Sequence, residues 1–300
     1  MEMNEVPAKN IVVELGFLGL LALLWGSSYL FIKVAVSEIP PITLIAIRVS
    51  IAAIFLVIVM SWQREKFPRS TRIWRKLLVQ SFFTSIGAWT ILAWGQQYVD
   101  SGLASVLNST SPVFIFFITL FITRHESLNL TKFVGATLGL IGVVLIVGVE
   151  ALAGLGQQVA GQLAAIAGAI LYACAAIYGK NFAKLPATVT AAGTMIWASV
   201  FLVPASLLLD APWNLSPSYK AIGAAISLSI FCTGIALLIY FRLIKTLGSL
   251  GVASQAYLRA GVGVLLGMIF LGEQITPVVG IGLVMAIIGV AAINMPKRKT

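Results

Sequence analysis

Apolar residues in this chain form long continuous runs, and polar residues collect in the short segments between the runs. A helix needs about 20 apolar residues to cross the hydrocarbon core of a bilayer. Ten runs have approximate cores at 14–33, 40–62, 77–99, 102–123, 131–149, 160–179, 186–209, 220–241, 249–271 and 274–295. Backbone groups in lipid must be paired within their own segment, so the pattern predicts an all-α membrane protein with ten transmembrane helices.

Composition agrees with this prediction. Hydrophobic residues make up 59% of the 300 residues and charged residues 10%, whereas a soluble domain is usually about 25% charged. The net charge of +10 lies mostly in short segments between apolar runs, which argues for a membrane surface and against a nucleic-acid partner. Cys174 and Cys232 fall inside apolar runs, so we expect buried thiols and neither a disulfide nor a metal site.

The basic residues predict the orientation of the chain. The polar loop 61–76 carries six Lys and Arg residues and should face the cytoplasm. We expect the protein to lie in the inner membrane of the cell. Because ten is an even number of spans, both termini should then lie in the cytoplasm. Sixteen of the 20 basic residues fall on that side, and the outer loops receive only Lys33 and Lys220.

The chain also compares with itself at a shift of about 147 residues. The matches include Pro40 with Pro186, Gly102 with Gly251, Glu126 with Glu273, and Gly135 and Gly142 with Gly282 and Gly289. These matches divide the chain into 1–150 and 151–300, with five spans each. Because five is an odd number, the second half must be inverted relative to the first, an architecture typical of secondary transporters.

Several of these motifs together resemble the drug/metabolite transporter superfamily of the EamA type. The resemblance rests on the stretches Leu24–Ser28, Pro40–Arg48 and Ser101–Pro112, and on the spacings Glu126 to Gly135 and Glu273 to Gly282. It covers nearly the whole chain. Gly261 departs from the pattern, since Pro112 occupies the related place in the first half.

The resemblance implies a ten-helix basket around a central cavity. Within the family the chain looks most similar to exporters of aromatic amino acids, which implies export of aromatic and other neutral amino acids by alternating access. The resemblance implies no cofactor, and we expect a monomer in the lipid bilayer with a small-molecule substrate.

Two arginines, Arg48 and Arg259, lie about half-way through their predicted spans. A mid-bilayer arginine costs about 2.5–3.5 kcal/mol on insertion scales, so each should face the bundle interior or a hydrated cavity. Each arginine could meet a substrate carboxylate, or could clamp helix carbonyls. No Asp or Glu lies at mid-membrane, which favours anionic or zwitterionic substrates over organic cations.

Aromatic and amide side chains in the same spans are candidates to line the cavity, because rings stack on planar substrates and polar groups in lipid need a hydrated site. The predicted substrate-binding residues are Trp25, Arg48, Gln96, Asn108, Tyr172, Tyr178, Tyr257 and Arg259. Trp89 and Gln255 belong to the wider candidate set, and plain packing is the alternative explanation for Trp89. Gly135 to Gly139 and Gly282 to Ala286 have the small-x-x-x-small spacing of closely packed helices.

Three other functions are weighed against this one. A membrane enzyme is disfavoured because the single histidine, His125, lies in a short loop and no metalloprotease motif is present. A carrier of sugar phosphates or nucleotide sugars fits the basic cavity, but two midplane arginines are few for a doubly charged phosphate. A channel or regulatory protein is disfavoured by the repeat.

Overall fold

The computed structural model describes a helical bundle. Residues 11–95, 98, 106–124, 128–148, 152, 155, 158–262 and 276–295 are described, with the backbone alone at 29, 30, 33 and 93. All regular secondary structure within these ranges is helical.

Six α-helices are described in the first half of the sequence. They are α1 Ile11–Val36, α2 Pro41–Trp62, α3 Thr71–Ser81, α4 Gly87–Gly95, α5 Ser111–Ile118 and α6 Leu130–Val147. A π-helical turn, Phe82–Ile86, joins α3 to α4 into one rod, and another, Thr119–Thr123, extends α5. A helical turn at 106–108 precedes α5.

Seven further α-helices follow among the described residues of 158–295. They are α7 Val159–Tyr178, α8 Ala187–Leu209, α9 Tyr219–Ser229, α10 Ala236–Thr246, α11 Gly248–Ala253, α12 at 255–262, and α13 Pro277–Asn294. The π-helical turn Ile230–Ile235 joins α9 to α10. It occupies the place that Phe82–Ile86 has in the first half, shifted by the repeat length of the sequence.

Eight helices among the described residues are long and apolar enough to cross a membrane. They coincide with eight of the ten predicted spans. The predicted spans 77–99 and 249–271 are the other two, and each runs into residues outside the described ranges. The multi-pass helical architecture is confirmed, while the count of ten is still a prediction.

Large apolar side chains point outward from the bundle, and small or polar side chains fill much of its interior. On α2, Ile54 and Ile58 are each 62% exposed, whereas Val49 and Ala52 are fully buried. Such a surface would be a large apolar patch in water. It suits lipid, where helices associate through close packing and not through a difference in hydrophobicity.

Helices α6 and α13 are in backbone contact along a seam of small residues. A Cβ atom added to Gly142 would lie 2.7 Å from the Gly282 carbonyl oxygen, and one added to Gly289 would lie 2.6 Å from the Gly135 carbonyl oxygen. The small-x-x-x-small spacing therefore predicted this close packing correctly. Neither helix contributes to the lining of the internal cavity described below.

Helices α2 and α8 pack against each other and are tied at both ends. Pro40 and Pro186 precede them with the same backbone angles, φ −54° and ψ 147°. At one end, the Thr43 backbone N–H and hydroxyl both donate to Asp210, at 2.8 Å. At the other end, the Thr188 hydroxyl donates to the Gln63 side chain at 2.9 Å.

The seam can be tested with two glycine-to-alanine substitutions in the same helix. Gly289→Ala should lower the thermal unfolding temperature, because its Cβ meets the α6 backbone and overpacking costs about 1–3 kcal/mol. Gly280→Ala is the matched control, since a Cβ there meets nothing within 4 Å. Both changes bring the same gain in helix propensity. Equal unfolding temperatures for the two variants in detergent would contradict the seam.

Candidate functional site

A cavity of about 340 Å³ lies inside the bundle, lined by residues of α1, α2, α4, α7, α10 and the segment 248–262, together with Thr84, Asn108, Ser111 and Leu228. Its volume falls in the range of about 300–1,000 Å³ that is usual for small-molecule sites. The lining is mainly apolar and contains a few polar groups from separate helices. That composition is typical of a pocket that binds one organic molecule.

The cavity extends toward one end of the bundle. Ile32 of α1 and Pro41 of α2 line it near the connection 37–40. We call this the opposite end, to distinguish it from the basic end, which carries the loop 63–70 with its three basic residues.

Arg48 lines the cavity but is held firmly by the protein. It is 8% exposed. Its Nε donates to the Thr233 hydroxyl at 2.6 Å, and its terminal nitrogen donates to the Cys232 carbonyl at 3.4 Å. Its guanidinium carbon lies 4.0 Å from the centre of the Trp89 ring. Arg48 therefore joins α2 to α4 and to the π-helical turn 230–235, whose carbonyl group it binds.

Arg259 of α12 is in a different situation. It lines the cavity and is partly exposed. Within the described ranges, its guanidinium group has no hydrogen-bond or ion-pair partner. The described lining residues include no Asp or Glu. Arg259 is thus a cation in the cavity that is available to an anionic group.

Aromatic rings form much of the remaining wall. Trp25 and Tyr240 are in contact, with ring centroids 5.4 Å apart at an interplanar angle of 46°. Tyr172 and Trp89 line the cavity as well. Trp25 on α1 and Tyr172 on α7 are separated by the repeat length of 147 residues. These rings offer faces and edges on which a planar apolar group can stack.

Two amide side chains line the cavity with their oxygen atoms unpaired. The Asn108 Oδ1 and Gln255 Oε1 atoms are buried, and neither has a hydrogen-bond partner among the residues that the structure describes. Both residues are less than 10% exposed and both line the cavity. A buried polar atom without a partner is costly, and a ligand that supplies a donor would remove that cost.

Tyr257 was expected in the cavity, but the structure directs it elsewhere. It is fully buried, and its hydroxyl donates to the Ala136 carbonyl at 2.9 Å. Its ring packs directly over Gly139 of α6, where an added Cβ would lie 2.2 Å from a ring atom. Tyr257 thus fixes α12 to α6 and does not line the cavity.

Of the other predicted residues, Tyr178 is not among the described residues that line the cavity. Tyr178 lies at the end of α7, where its ring contacts Phe83 and Phe182 at centroid distances of 5.9 and 6.1 Å. Gln96 lies outside the described residues. Sequence reasoning missed Tyr240, and it gave too little weight to Trp89 and Gln255. The available signal was the same for all three, a polar or aromatic side chain within an apolar span.

Toward the basic end of the bundle, α3 and α8 are in contact. The Trp197 ring N–H donates to the Trp74 carbonyl at 3.0 Å, and the two rings meet edge to face. A Cβ added to Gly193 would lie 2.6 Å from Leu77 Cδ1. We call these four residues the basic-end seal.

An ion pair between a buried carboxylate and an exposed arginine ties α1 to α10 at the same end. Glu14 is 6% exposed and pairs with Arg242 at 2.8 Å. The Thr246 hydroxyl also donates to Glu14, at 2.9 Å. The Arg242 guanidinium carbon lies 4.2 Å from the centre of the Phe17 ring.

At the opposite end, Glu38 bonds to the first residues of α9. The Ser218 backbone N–H donates to one carboxylate oxygen at 2.6 Å, and the Ser218 hydroxyl bonds the other at 2.8 Å. These hydrogen bonds favour the charged carboxylate and lower the pKa of Glu38 below its ordinary value.

The two cavity arginines should differ in their effect on stability. Arg48→Ala removes two hydrogen bonds from a charged group, each of a kind that contributes about 1.5–3 kcal/mol, and should lower the thermal unfolding temperature clearly. Arg259→Ala removes no such bond within the described part of the chain and should change that temperature little. A larger loss in Arg259→Ala than in Arg48→Ala, measured in detergent, would contradict these assignments.

Many apolar helices around a cavity with a few polar groups define the class of protein. The molecule is a multi-pass membrane transporter, and the comparisons with known proteins agree with that class. The model of the EamA-like transporter family matches the chain twice, at residues 14–148 and 159–295. The chain belongs to this family.

Similar proteins extend over nearly the whole chain. The transporter YoaV of Bacillus subtilis is 27% identical over 268 residues, which cover 89% of this chain and 91% of YoaV. The inner membrane transporter YedA of Escherichia coli K12 is 26% identical over 291 residues, covering 96% and 93%. Their names specify transport and no substrate.

A solved crystal structure has the same fold. It superposes with a TM-score of 0.80, covering 94% of this chain and 96% of the other, at 19% sequence identity.

Proposed function

We propose that this transporter exports neutral amino acids, aromatic ones included, across the bacterial inner membrane by alternating access. The observation that carries the proposal is Arg259, an arginine in the cavity whose charge is unpaired among the described residues. It can bind the substrate carboxylate through two parallel hydrogen bonds. The direction of transport follows the resemblance of the sequence to amino acid exporters.

The charge balance of the cavity favours a single carboxylate. Arg48 is already bound to Thr233, Cys232 and the Trp89 ring, which leaves Arg259 as the cation available to a ligand. A sugar phosphate, the main alternative substrate, brings about two negative charges and would call for further cations. The described lining has no acidic residue that would attract an organic cation.

The aromatic wall favours a substrate with an apolar side chain. Trp25, Tyr172 and Tyr240 form a surface on which an aromatic or aliphatic group can pack. Aromatic pairs in offset or edge-to-face contact contribute about 0.5–1.5 kcal/mol beyond their area of burial. We therefore expect larger neutral amino acids to bind better than glycine.

Reciprocal contacts support two inverted halves, 1–150 and 151–300, of five helices each. Gly142 contacts Gly282. The sequence repeat relates Gly142 to Gly289 and Gly282 to Gly135, and Gly289 and Gly135 are also in contact. The family model matches once in each half. We propose ten spans with both termini in the cytoplasm, so that the basic end faces the cytoplasm, in a protein that works as a monomer.

In this arrangement the structure represents the state with its cavity directed away from the cytoplasm. The basic-end seal would have to open, and the opposite end to close, for the substrate to be taken up from the cytoplasm. Movement of two packed groups of helices about a fixed central site is a usual form of alternating access. Transport then needs neither a cofactor nor a covalent step.

Transport by purified protein in proteoliposomes tests the substrate. Labelled tryptophan, phenylalanine, methionine and threonine should be taken up, with competition among them. Arg259→Ala should weaken tryptophan binding by about 10- to 100-fold, since a hydrogen bond to a charged group contributes about 1.5–3 kcal/mol. Arg72→Ala is the matched control, because Arg72 is an exposed arginine at the start of α3.

Two results would overturn the amino acid assignment. One is uptake of a sugar phosphate alone, and the other is uptake of a quaternary ammonium dye alone. Equal binding of tryptophan by Arg259→Ala and by the unsubstituted protein would remove Arg259 from the site while leaving the substrate class intact.

The basic-end seal can be tested by enlarging Gly193. Gly193→Val should push against Leu77 of α3 and destabilise the closed basic end by about 1–3 kcal/mol, the usual cost of overpacking. The population should shift toward the state that is open at this end. Gly223→Val in α9 is the control, because a Cβ at Gly223 meets nothing within 4 Å.

A single cysteine in the cavity wall reports this shift. Ala176→Cys, with Cys174 and Cys232 replaced by serine, can be labelled with a membrane-impermeant maleimide from either side of oriented vesicles. Labelling from the cytoplasmic side should increase in Gly193→Val and not in Gly223→Val. Unchanged sidedness in both would contradict the proposed role of the seal.

A further inference from the structure

The unpaired oxygens of Asn108 and Gln255 require a partner that the described part of the protein does not supply. Each side chain is more than nine-tenths buried and lines the cavity, and each oxygen lacks a donor among the described residues. Nearly all buried polar atoms in proteins find a hydrogen-bond partner. Seven buried side-chain oxygens lack a partner among the described residues, and Asn108 and Gln255 are the two residues of this set that line the cavity. Rotation of either amide about its last side-chain bond exchanges the positions of its oxygen and nitrogen, and would turn the oxygen toward a ligand that donates.

We propose that Asn108 and Gln255 bind the ammonium group of the substrate and that, with Arg259, they make the site selective for zwitterions. This inference rests on the proposed function and adds to it the group that distinguishes an amino acid from a simple carboxylate. An ammonium group has three donors, and the two amide oxygens accept two of them.

The spacing of Gln255 and Arg259 matches a zwitterion. The two residues are four positions apart on the helix 255–262, and both line the cavity. Side chains at this spacing are neighbours on one helix face, with Cβ atoms about 5–6 Å apart. One turn of helix thus presents a hydrogen-bond acceptor beside a cation, and an amino acid presents an ammonium group beside a carboxylate.

Interruptions in the helices are found beside both amides. Asn108 ends the helical turn 106–108, and α5 starts only at Ser111. Gln255 follows Ser254, the turn residue between α11 and α12, and the Ser254 hydroxyl donates to the Gly251 carbonyl at 2.6 Å. Broken helices at membrane depth are tolerated where they line a cavity, and they are common at substrate sites.

Neutral amide side chains favour different ligands from those that carboxylate side chains would favour at the same positions. A carboxylate at either position would attract any cation and would repel the substrate carboxylate beside Arg259. An amide oxygen accepts from an ammonium group with little attraction for a cation alone. The substrate must therefore satisfy Arg259 and the amides together. A site with buried polar groups rejects analogues that leave those groups unpaired.

Binding measurements with paired ligands test this subsite. Calorimetry on the purified full-length protein would compare L-tryptophan with indole-3-propanoate, which has the same ring and carboxylate but lacks the amino group. The unsubstituted protein should prefer tryptophan. Asn108→Leu and Gln255→Met should each weaken tryptophan binding by about tenfold, the effect of one lost hydrogen bond to a charged group. Indole-3-propanoate binding should be unchanged in both.

Two controls separate this effect from general damage. Gln158→Met changes an exposed glutamine at the start of α7 and should leave both affinities unchanged. Arg259→Ala should weaken both ligands, because both carry the carboxylate. Each variant's thermal unfolding temperature in detergent shows whether it is folded.

The outcomes separate the subsite from the proposed function. The ammonium subsite would be overturned if Asn108→Leu and Gln255→Met weaken the binding of both ligands equally, or change the binding of neither. The proposed function would still stand in that case, as long as the unsubstituted protein binds tryptophan. Stabilisation by sodium alone that is lost in these variants would reassign the oxygens to a cation. Failure of the unsubstituted protein to bind any amino acid would overturn the proposed function itself.

Discussion

The absence of water from the hydrocarbon core is the constraint on which the rest of the structure depends. Backbone groups there must be paired inside the protein, most of them within their own helix, so helices associate through close contact of their surfaces. The closest contact is made by glycines, as at Gly142 and Gly289, where no side chain separates the backbones of α6 and α13. This seam occupies one side of the bundle and leaves other helices to enclose the cavity.

The same constraint separates the two arginines of the cavity. A charge within the membrane needs partners, and Arg48 finds them in Thr233, the Cys232 carbonyl and the Trp89 ring. Its bonds join helices from both halves of the chain. Arg259 has no corresponding set among the described residues. The cost of keeping such a charge unpaired is consistent with a role in binding. The same reasoning applies to Asn108 and Gln255, whose amide oxygens are unpaired among the described residues.

Hydropathy predicted the helices well because their length is set by the thickness of the membrane. Rotation of each helix about its axis was harder to predict. Most spans are apolar all round, so the pattern does not reveal which face looks inward. Tyr257 and Tyr240 show the consequence. Tyr257 lies mid-span but turns its ring onto Gly139 of α6, whereas Tyr240, near the end of the predicted span 220–241, faces the cavity.

The sequence by itself determined that the protein is a helical membrane protein, where most of its spans lie, and that Arg48 and Arg259 must face the interior. These properties follow from the cost of placing polar groups in lipid, which acts on each segment separately. Only the tertiary structure decided that Arg48 is bound while Arg259 has no partner among the described residues, and that Asn108 and Gln255 share a cavity with Trp25 and Tyr172. The physical reason is that partners come from helices distant in the chain, and their meeting depends on how small residues let those helices approach.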